Sequence, residues 1–407
     1  MLAKYLKGLL AAAALACLAA CSTPCDAPGR LCAPIHANTS APPRAAVAVP
    51  APPPAVVETM PVEAPPTTTP AAVTRIGLML PLRSENLGAP AEAVRAGFMA
   101  AHEREGSGVV VTLIDSGETA QEALDAYAAA VAQNDIMVGP LARSAVSAVA
   151  SSPLLAKPTI ALNFPDSSGN PAIPLPQNML VMGLSIEDEA RQVAAWAGTE
   201  HAEASALIVS GASTWQHRIA AAFAAQWGQL GRKSQLVELP ASNGYLSDAA
   251  IAQLKTRVEA DTPALLFAAL DADQLRQVRT ALGPDLPCYG TSSVNPGSEP
   301  GNAMAELDGL RLLDLPWEVQ PDHPAVMVYP RWIASRRTLD LDRLYALGID
   351  AYRVALEIAQ HPSSSFRIDG VTGRLQVSFG RGAARFERIL PVAVYQGGAF
   401  KLVANRP

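Results

Sequence analysis

Six histidines, five cysteines and a run of three carboxylates are the side chains of this 407-residue chain best suited to chemistry. His36, His102, His201, His217, His323 and His361 are scattered, and no H-E-x-x-H pair puts two imidazoles on one helix face for zinc. No G-x-S-x-G turn presents a serine nucleophile, no S-x-x-K stands near a K-T-G, and "VGPLARS" lacks the lysine and spacing of a phosphate loop. His102 and His201 end helical patterns, where an imidazolium complements the helix dipole. Cys288, in "LPCYG", reads as a small buried hydrophobe. These patterns predict no enzyme, no metal site and no cofactor.

Binding is the better-supported chemistry. Polar residues stand just after expected strands: Arg83 and Ser84, then Ser116, then Ser144, then Asn163 with the "PDSSG" loop (165–169). Ser185 precedes Glu187, Asp188 and Glu189 at the start of a helical pattern, as an N-cap followed by acids that suit the positive helix end. Helix N-termini and hydroxyls gathered at strand ends form a natural cleft for an anionic small molecule. Each of these residues also reads as a plain loop or cap residue, and the bulky Arg83-Ser84-Glu85 disfavours an amino-acid site, so a small ligand stays an open alternative. A protein-contact surface is the other candidate. "LPWEVQPDHPAVMVYPRW" (315–332) brings Trp317, Tyr329, Arg331 and Trp332 together, the residue types that dominate interfaces, with packing at a hinge as the alternative. Arg374, Arg381, Arg385 and Arg388 form a basic set suited to an acidic partner or a solvated face.

The elements that would position these residues alternate strand and helix. The first series has strands over 76–82, 109–115, 136–140, 158–163 and 178–185, with helices over 91–104, 120–133 and 144–155. The second has helices over 186–199, 215–230, 248–260 and 272–282, with strands over 204–210, 233–239, 263–270 and 287–293. Continuous apolar strands between amphipathic helices predict parallel sheets covered on both faces. The expected fold is α/β with two Rossmann-like lobes: 74–183 with 316–360 as lobe 1, and 184–315 with 361–407 as lobe 2. A helix is expected over 341–360, followed by β-hairpins that turn at glycines.

The N-terminal 73 residues follow other rules. Lys4 and Lys7 precede an apolar stretch, Leu9 to Ala20, too short to cross a bilayer and typical of a signal peptide over 1–20. Leu18-Ala19-Ala20-Cys21 resembles the bacterial lipobox, which makes Cys21 the expected site of lipidation, and Ser22 favours the outer membrane. Residues 21–73 form a Pro-rich linker, with ten prolines between Ala41 and Pro70; the ring removes backbone donors, so a disordered tether is expected. Cys25 and Cys32 lie within it, and whether they pair stays open. Net charge is −6, without the basic face that a general nucleic-acid binder needs.

Eight strings occur in order: "RIGLMLPL…AVRAGFMAA", "MVGPL", "LNFP", "GLSIEDEARQVA", "YGTSS", "DGLRLLDLPW", "LYALGIDAYRVA" and "GVTGRLQV". Together, behind the lipobox, they resemble the LppC/LpoA family of outer-membrane lipoproteins, from about Arg75 to the C-terminus. The resemblance implies a type 1 periplasmic-binding-protein fold on the periplasmic side of the outer membrane. It also implies a non-catalytic role, binding and activating a class A penicillin-binding protein in peptidoglycan synthesis. Longer family members carry an N-terminal helical-repeat domain, where this sequence has the proline-rich tether. A lipid-anchored solute-binding protein for an amino acid or peptide is the alternative.

Overall fold

The computed structural model describes residues 73–166, 175–202, 204–297, 304–333 and 338–403. The signal segment, Cys21, Cys25, Cys32, the linker up to residue 72 and part of the 165–169 loop lie outside the described residues.

The first series builds a parallel sheet. It runs β1 (Thr74–Leu80), α1 (Gly88–Glu105), β2 (Val109–Asp115), α2 (Ala120–Val131), β3 (Ile136–Val138), α3 (Arg143–Ala150), β4 (Thr159–Ala161) and β5 (Met179–Val181). The strand order is β2-β1-β3-β4-β5. Helix α3 is shorter than the expected 144–155, because Pro153 supplies no backbone donor and disfavours helix at Ser152.

The second series follows at once. It runs α4 (Ile186–Glu200), β6 (Ala206–Ser210), α5 (Thr214–Gln229), β7 (Ser234–Glu238), β8 (Ala241–Ser242), β9 (Tyr245–Leu246), α6 (Asp248–Asp261), β10 (Leu265–Ala269), α7 (Ala272–Leu282), β11 (Cys288–Gly290) and β12 (Arg311–Leu313). Strands β8 and β9 are a small hairpin that the strand pattern missed. Its signal is Asn243-Gly244, with φ of 52° and 83°, the left-handed pair that a tight hairpin turn demands. The strand expected over 287–293 stops at Gly290, and Ser292–Val294 form a 3-10 turn capped by Thr291.

The stretch after Leu315 holds two short helices, α8 (Pro316–Val319) and α9 (Pro324–Met327), before the long α10 (Leu339–Gln360). Helix α10 returns to the first lobe and crosses α1 with backbones almost touching. A Cβ on Gly97 would lie 1.9 Å from the Tyr345 carbonyl oxygen, and one on Gly348 would lie 2.1 Å from that of Val94. Glycine at both positions is what lets these helices meet.

The chain ends in β13 (Ser365–Asp369), β14 (Arg374–Ser378), β15 (Arg385–Ile389), β16 (Val392–Gln396) and β17 (Ala399–Leu402). The block 361–407 expected in lobe 2 is divided between two sheets. Strands β13-β14-β15 form a sheet of their own, while β16 and β17 extend the larger one, ordered β17-β16-β12-β11-β10-β6-β7. One continuous apolar cluster holds Ile76 of β1, Tyr345 of α10 and Phe267 of β10, so the lobes share a core.

Candidate interlobe site

Between the lobes lies a cleft of about 690 Å³. Its walls come from the loop after β4 (Asn163, Phe164), the start of α4 (Ser185 to Glu189), Ser292, and α10 through Asp340 and Arg343. Ser185 caps α4 as expected of its type: its Oγ accepts a 3.1 Å hydrogen bond from the Asp188 N–H. Asn163 stands at the rim, donating to the Leu141 carbonyl at 3.1 Å while its Oδ1 accepts from the Phe164 N–H at 2.9 Å.

The cleft is charged, and the charges answer one another. Glu187 pairs with Arg218 of α5 at 3.0 Å, and Asp188 pairs with Arg191. Arg143 donates to the Pro165 carbonyl at 3.2 Å. Beneath them Arg343 grips Asp314 at two points, Nη2 to Oδ2 at 2.6 Å and Nε to Oδ1 at 3.1 Å. Its Nη2 also donates to the Ser292 carbonyl at 3.0 Å, and the Ser292 N–H donates to Glu189 Oε2 at 2.8 Å. Asn295 and the Leu315 N–H complete Asp314, each at 2.7 Å. The network therefore ties α4 and the 3-10 turn of one lobe to α10 of the other.

Burial sets the protonation chemistry here. Desolvation, and then the charge of Asp314, push Glu189 up to about 7. Burial works against the charge on Arg343, but Asp314 beside it outweighs that and holds its pKa above the usual arginine value. Glu318 of α8, within electrostatic reach of Asp314 and Arg343, is pushed up to about 8 chiefly by burial, and its Oε1 is buried without a hydrogen-bond partner.

The structure does not bring all the expected cleft residues together. Arg83 pairs with Asp115 and its side chain is 88% exposed, away from the cleft lining. Ser84 caps a local turn, accepting from the Leu87 N–H at 2.9 Å and donating to Glu118 at 3.0 Å. Ser116 is buried at the end of β2, where its N–H bonds the Leu80 carbonyl, and Ser144 is exposed on α3. Of the expected cleft set only Asn163 and Ser185 line the cavity.

The aromatic cluster is also corrected. Trp317 and Tyr329 are 1% and 6% exposed, so they are core rather than contact surface. Trp317 packs on Tyr345, and the Tyr329 hydroxyl donates to Glu105 at 2.6 Å. Arg331 lies over the Trp317 ring at 4.2 Å and bonds its carbonyl at 2.7 Å, while half-buried Trp332 stacks on Tyr345. Met327, Val328 and Ile333 are the exposed apolar residues of this segment. In the basic set, Arg374, Arg381 and Arg385 are exposed, but Arg388 is half-buried and bonds the carbonyls of Met182 and Gly183 at 3.0 and 2.9 Å. Burial draws it down to about 10.

Sequence reading missed Glu189, Asp314 and Arg343 as a unit. Only the acidic start of α4 hinted at it, and that signal equally describes a helix cap. Among the described residues no group of three or more His, Cys, Asp or Glu could hold a metal, and His201, His217 and His361 bond Tyr289, Glu238 and Glu357.

Two lobes of parallel sheet joined at a cleft, with a returning helix and C-terminal strands, define the type 1 periplasmic-binding-protein architecture. Solved structures agree. The chain superposes with TM-score 0.65 and 35% identity on a protein described as a putative branched-chain amino acid ABC transporter from Chromobacterium violaceum, covering 79% of this chain and all of that one. It superposes with TM-score 0.63 and 23% identity on the LpoA C-domain from Haemophilus influenzae, described as a regulator of PBP1A, covering 81% of this chain and all of that one. Residues 50–398 match the family model described as "LppC putative lipoprotein", and the chain belongs to that family. A curated relative, the penicillin-binding protein activator LpoA of Vibrio cholerae, is 26% identical over 344 residues, covering 75% of this chain and 54% of the relative. The chain thus spans about half the length of the curated relatives it matches.

Proposed function

We propose that this chain is a non-catalytic activator of a class A penicillin-binding protein, held by lipid on Cys21 to the periplasmic side of the outer membrane. The observation that carries the reading is the family match across nearly the whole folded module, to a family whose curated members are named activators. The cleft supports it: Arg143, Arg191, Arg218 and Arg343 each engage a protein acceptor, a backbone carbonyl or a carboxylate, so these cations already have partners within the protein. The Pro-rich tether gives reach, about 40 Å as a coil for some fifty residues.

The second reading, a solute-binding protein, rests on the likeness to the 35%-identical transporter component from Chromobacterium violaceum. One experiment separates the two. The full-length chain in detergent is titrated with a purified class A synthase, and separately heated with and without leucine. Saturable synthase binding with an unchanged Tm in leucine is expected. No synthase binding, with a leucine-raised Tm, would transfer the chain to the transporter reading.

A further inference from the structure

Three cavities meet around one wall residue, Phe164. The interlobe cleft and a neighbour of about 490 Å³ share Phe164, Leu184 and Ser185. That neighbour and a third cavity of about 930 Å³ share Phe164, Val181 and Phe386. The result is a trench running from the cleft to the sheet β13-β14-β15. A trench of this form suits an extended chain better than a compact solute.

The floor at the sheet end is apolar. Register places Phe366 opposite Val377 and Val377 opposite Phe386, one row across all three strands. Phe164, Leu175 and Val181 line the same cavity. Strand β15 is an edge, paired with β14 alone. Part of that edge is already used by a side chain: Gln192 Nε2 donates to the Arg388 carbonyl at 2.9 Å, and the Leu390 N–H donates to Gln192 Oε1 at 3.1 Å. The Gln192 amide thus stands where a neighbouring strand's backbone would. Outward positions alternate along an antiparallel strand, so Phe386, two residues before Arg388, turns its own N–H and C=O outward as well.

Charge distinguishes the two ends. At the cleft end the arginines are answered by protein acceptors. At the sheet end Arg385 makes no ion pair among the described residues, and Arg367 Nε donates to the neutral Gln376 amide at 3.3 Å. The exposed face of this sheet and its β14–β15 turn carry Arg367, Arg374, Arg381 and Arg385 against Asp369 and Glu387. This is a locally basic surface on a chain of net charge −6.

We infer that the trench binds an extended, acidic segment of a protein partner, which adds as a strand along β15. Main-chain hydrogen bonds to Phe386 set the register, as in other strand additions. On one face an apolar side chain of the segment packs between Phe164 and Phe386, and on the other a carboxylate meets Arg385. The inference goes beyond synthase activation, since any exported protein bearing such a segment qualifies.

The test uses the full-length chain in detergent and no synthase, so its outcome is independent of the activator reading. The probe is a labelled octapeptide of alternating glutamate and valine, beside a lysine–valine octapeptide and polyphosphate. The acidic peptide is expected to bind, to weaken as salt rises, and to slow hydrogen exchange across residues 385–388. Arg385→Glu should weaken it at least tenfold with Tm unchanged, because the side chain is exposed. If that variant does not fold, Arg385→Gln should weaken binding severalfold. Equal binding of the lysine peptide, polyphosphate competing without protecting the β15 amides, or intact affinity in a folded arginine variant would each overturn the inference.

Discussion

Arg343 and Asp314 form a two-point ion pair, at 2.6 and 3.1 Å, that joins α10 of one lobe to the end of β12 in the other. The Arg343 side chain is 10% exposed and that of Asp314 is fully buried. A pair sealed in this way stabilises little on balance, yet removing one partner strands a buried charge. Arg343→Met is expected to cost about 3–5 kcal/mol, read by urea denaturation. Adding Asp314→Asn should recover much of that loss, because the amide oxygen still accepts from Leu315 and no charge is left. A double variant as unstable as the single one would contradict this account.

Glu189 and Glu318 make stability depend on pH in a defined direction. Their folded pKa values, about 7 and 8, lie above the ordinary 4.5. The folded state therefore holds more protons than the unfolded state between pH 4.5 and 7 for Glu189, and between 4.5 and 8 for Glu318. Their contribution is present below pH 4.5 and is lost as pH rises through those windows. Glu189→Gln should flatten the fall between about pH 5 and 7, measured by denaturation at each pH. An identical slope in the variant would show that Glu189 is ionised in the fold.

The α1–α10 crossing admits no side chain at its centre. Gly348→Ala forces a methyl into the Val94 carbonyl, where both helices are packed on the core and have little room to yield. A loss of about 1–3 kcal/mol, or more if the helices separate, is expected in a thermal melt. Unchanged stability would mean that the helices do not meet at Gly348.

Trp317 and Ile333 separate core from surface within one segment. Trp317→Ala should cost about 3–5 kcal/mol, since the ring fills space against Tyr345. Ile333→Ser, at a residue 95% exposed, should leave the melt unchanged. The reverse ranking would restore the tryptophan to the surface.

Anchoring is tested on its own. Cys21→Ser in the full chain should move the protein from the membrane pellet to the soluble periplasmic fraction. Retention in the pellet would contradict lipidation at this residue.

These contrasts mark where the sequence was readable. Strand 109–115 and helix 272–282 have the bounds that periodicity predicts, because their apolar spacing is local. Pro153 and Asn243-Gly244 carried equally local signals, and closer attention to turn chemistry would have placed both. The place of Tyr329 depends on Glu105, 224 residues away, and that of Arg388 on Met182 and Gly183, more than 200 residues away. No window along the chain contains both partners. The cleft network is of the same kind: Glu189, Ser292, Asp314 and Arg343 are ordinary in their local settings and become a unit only when the lobes meet.

The central claim is activation, and a synthesis assay tests it most directly. The full-length chain, solubilised in detergent, is mixed with the class A synthase of the same cell and lipid II, and peptide cross-links and glycan length are quantified. Cross-linking or chain length is expected to rise with added protein, to saturate, and to be lost when the chain is first heat-denatured. No rise from a folded chain with an active synthase would contradict activation.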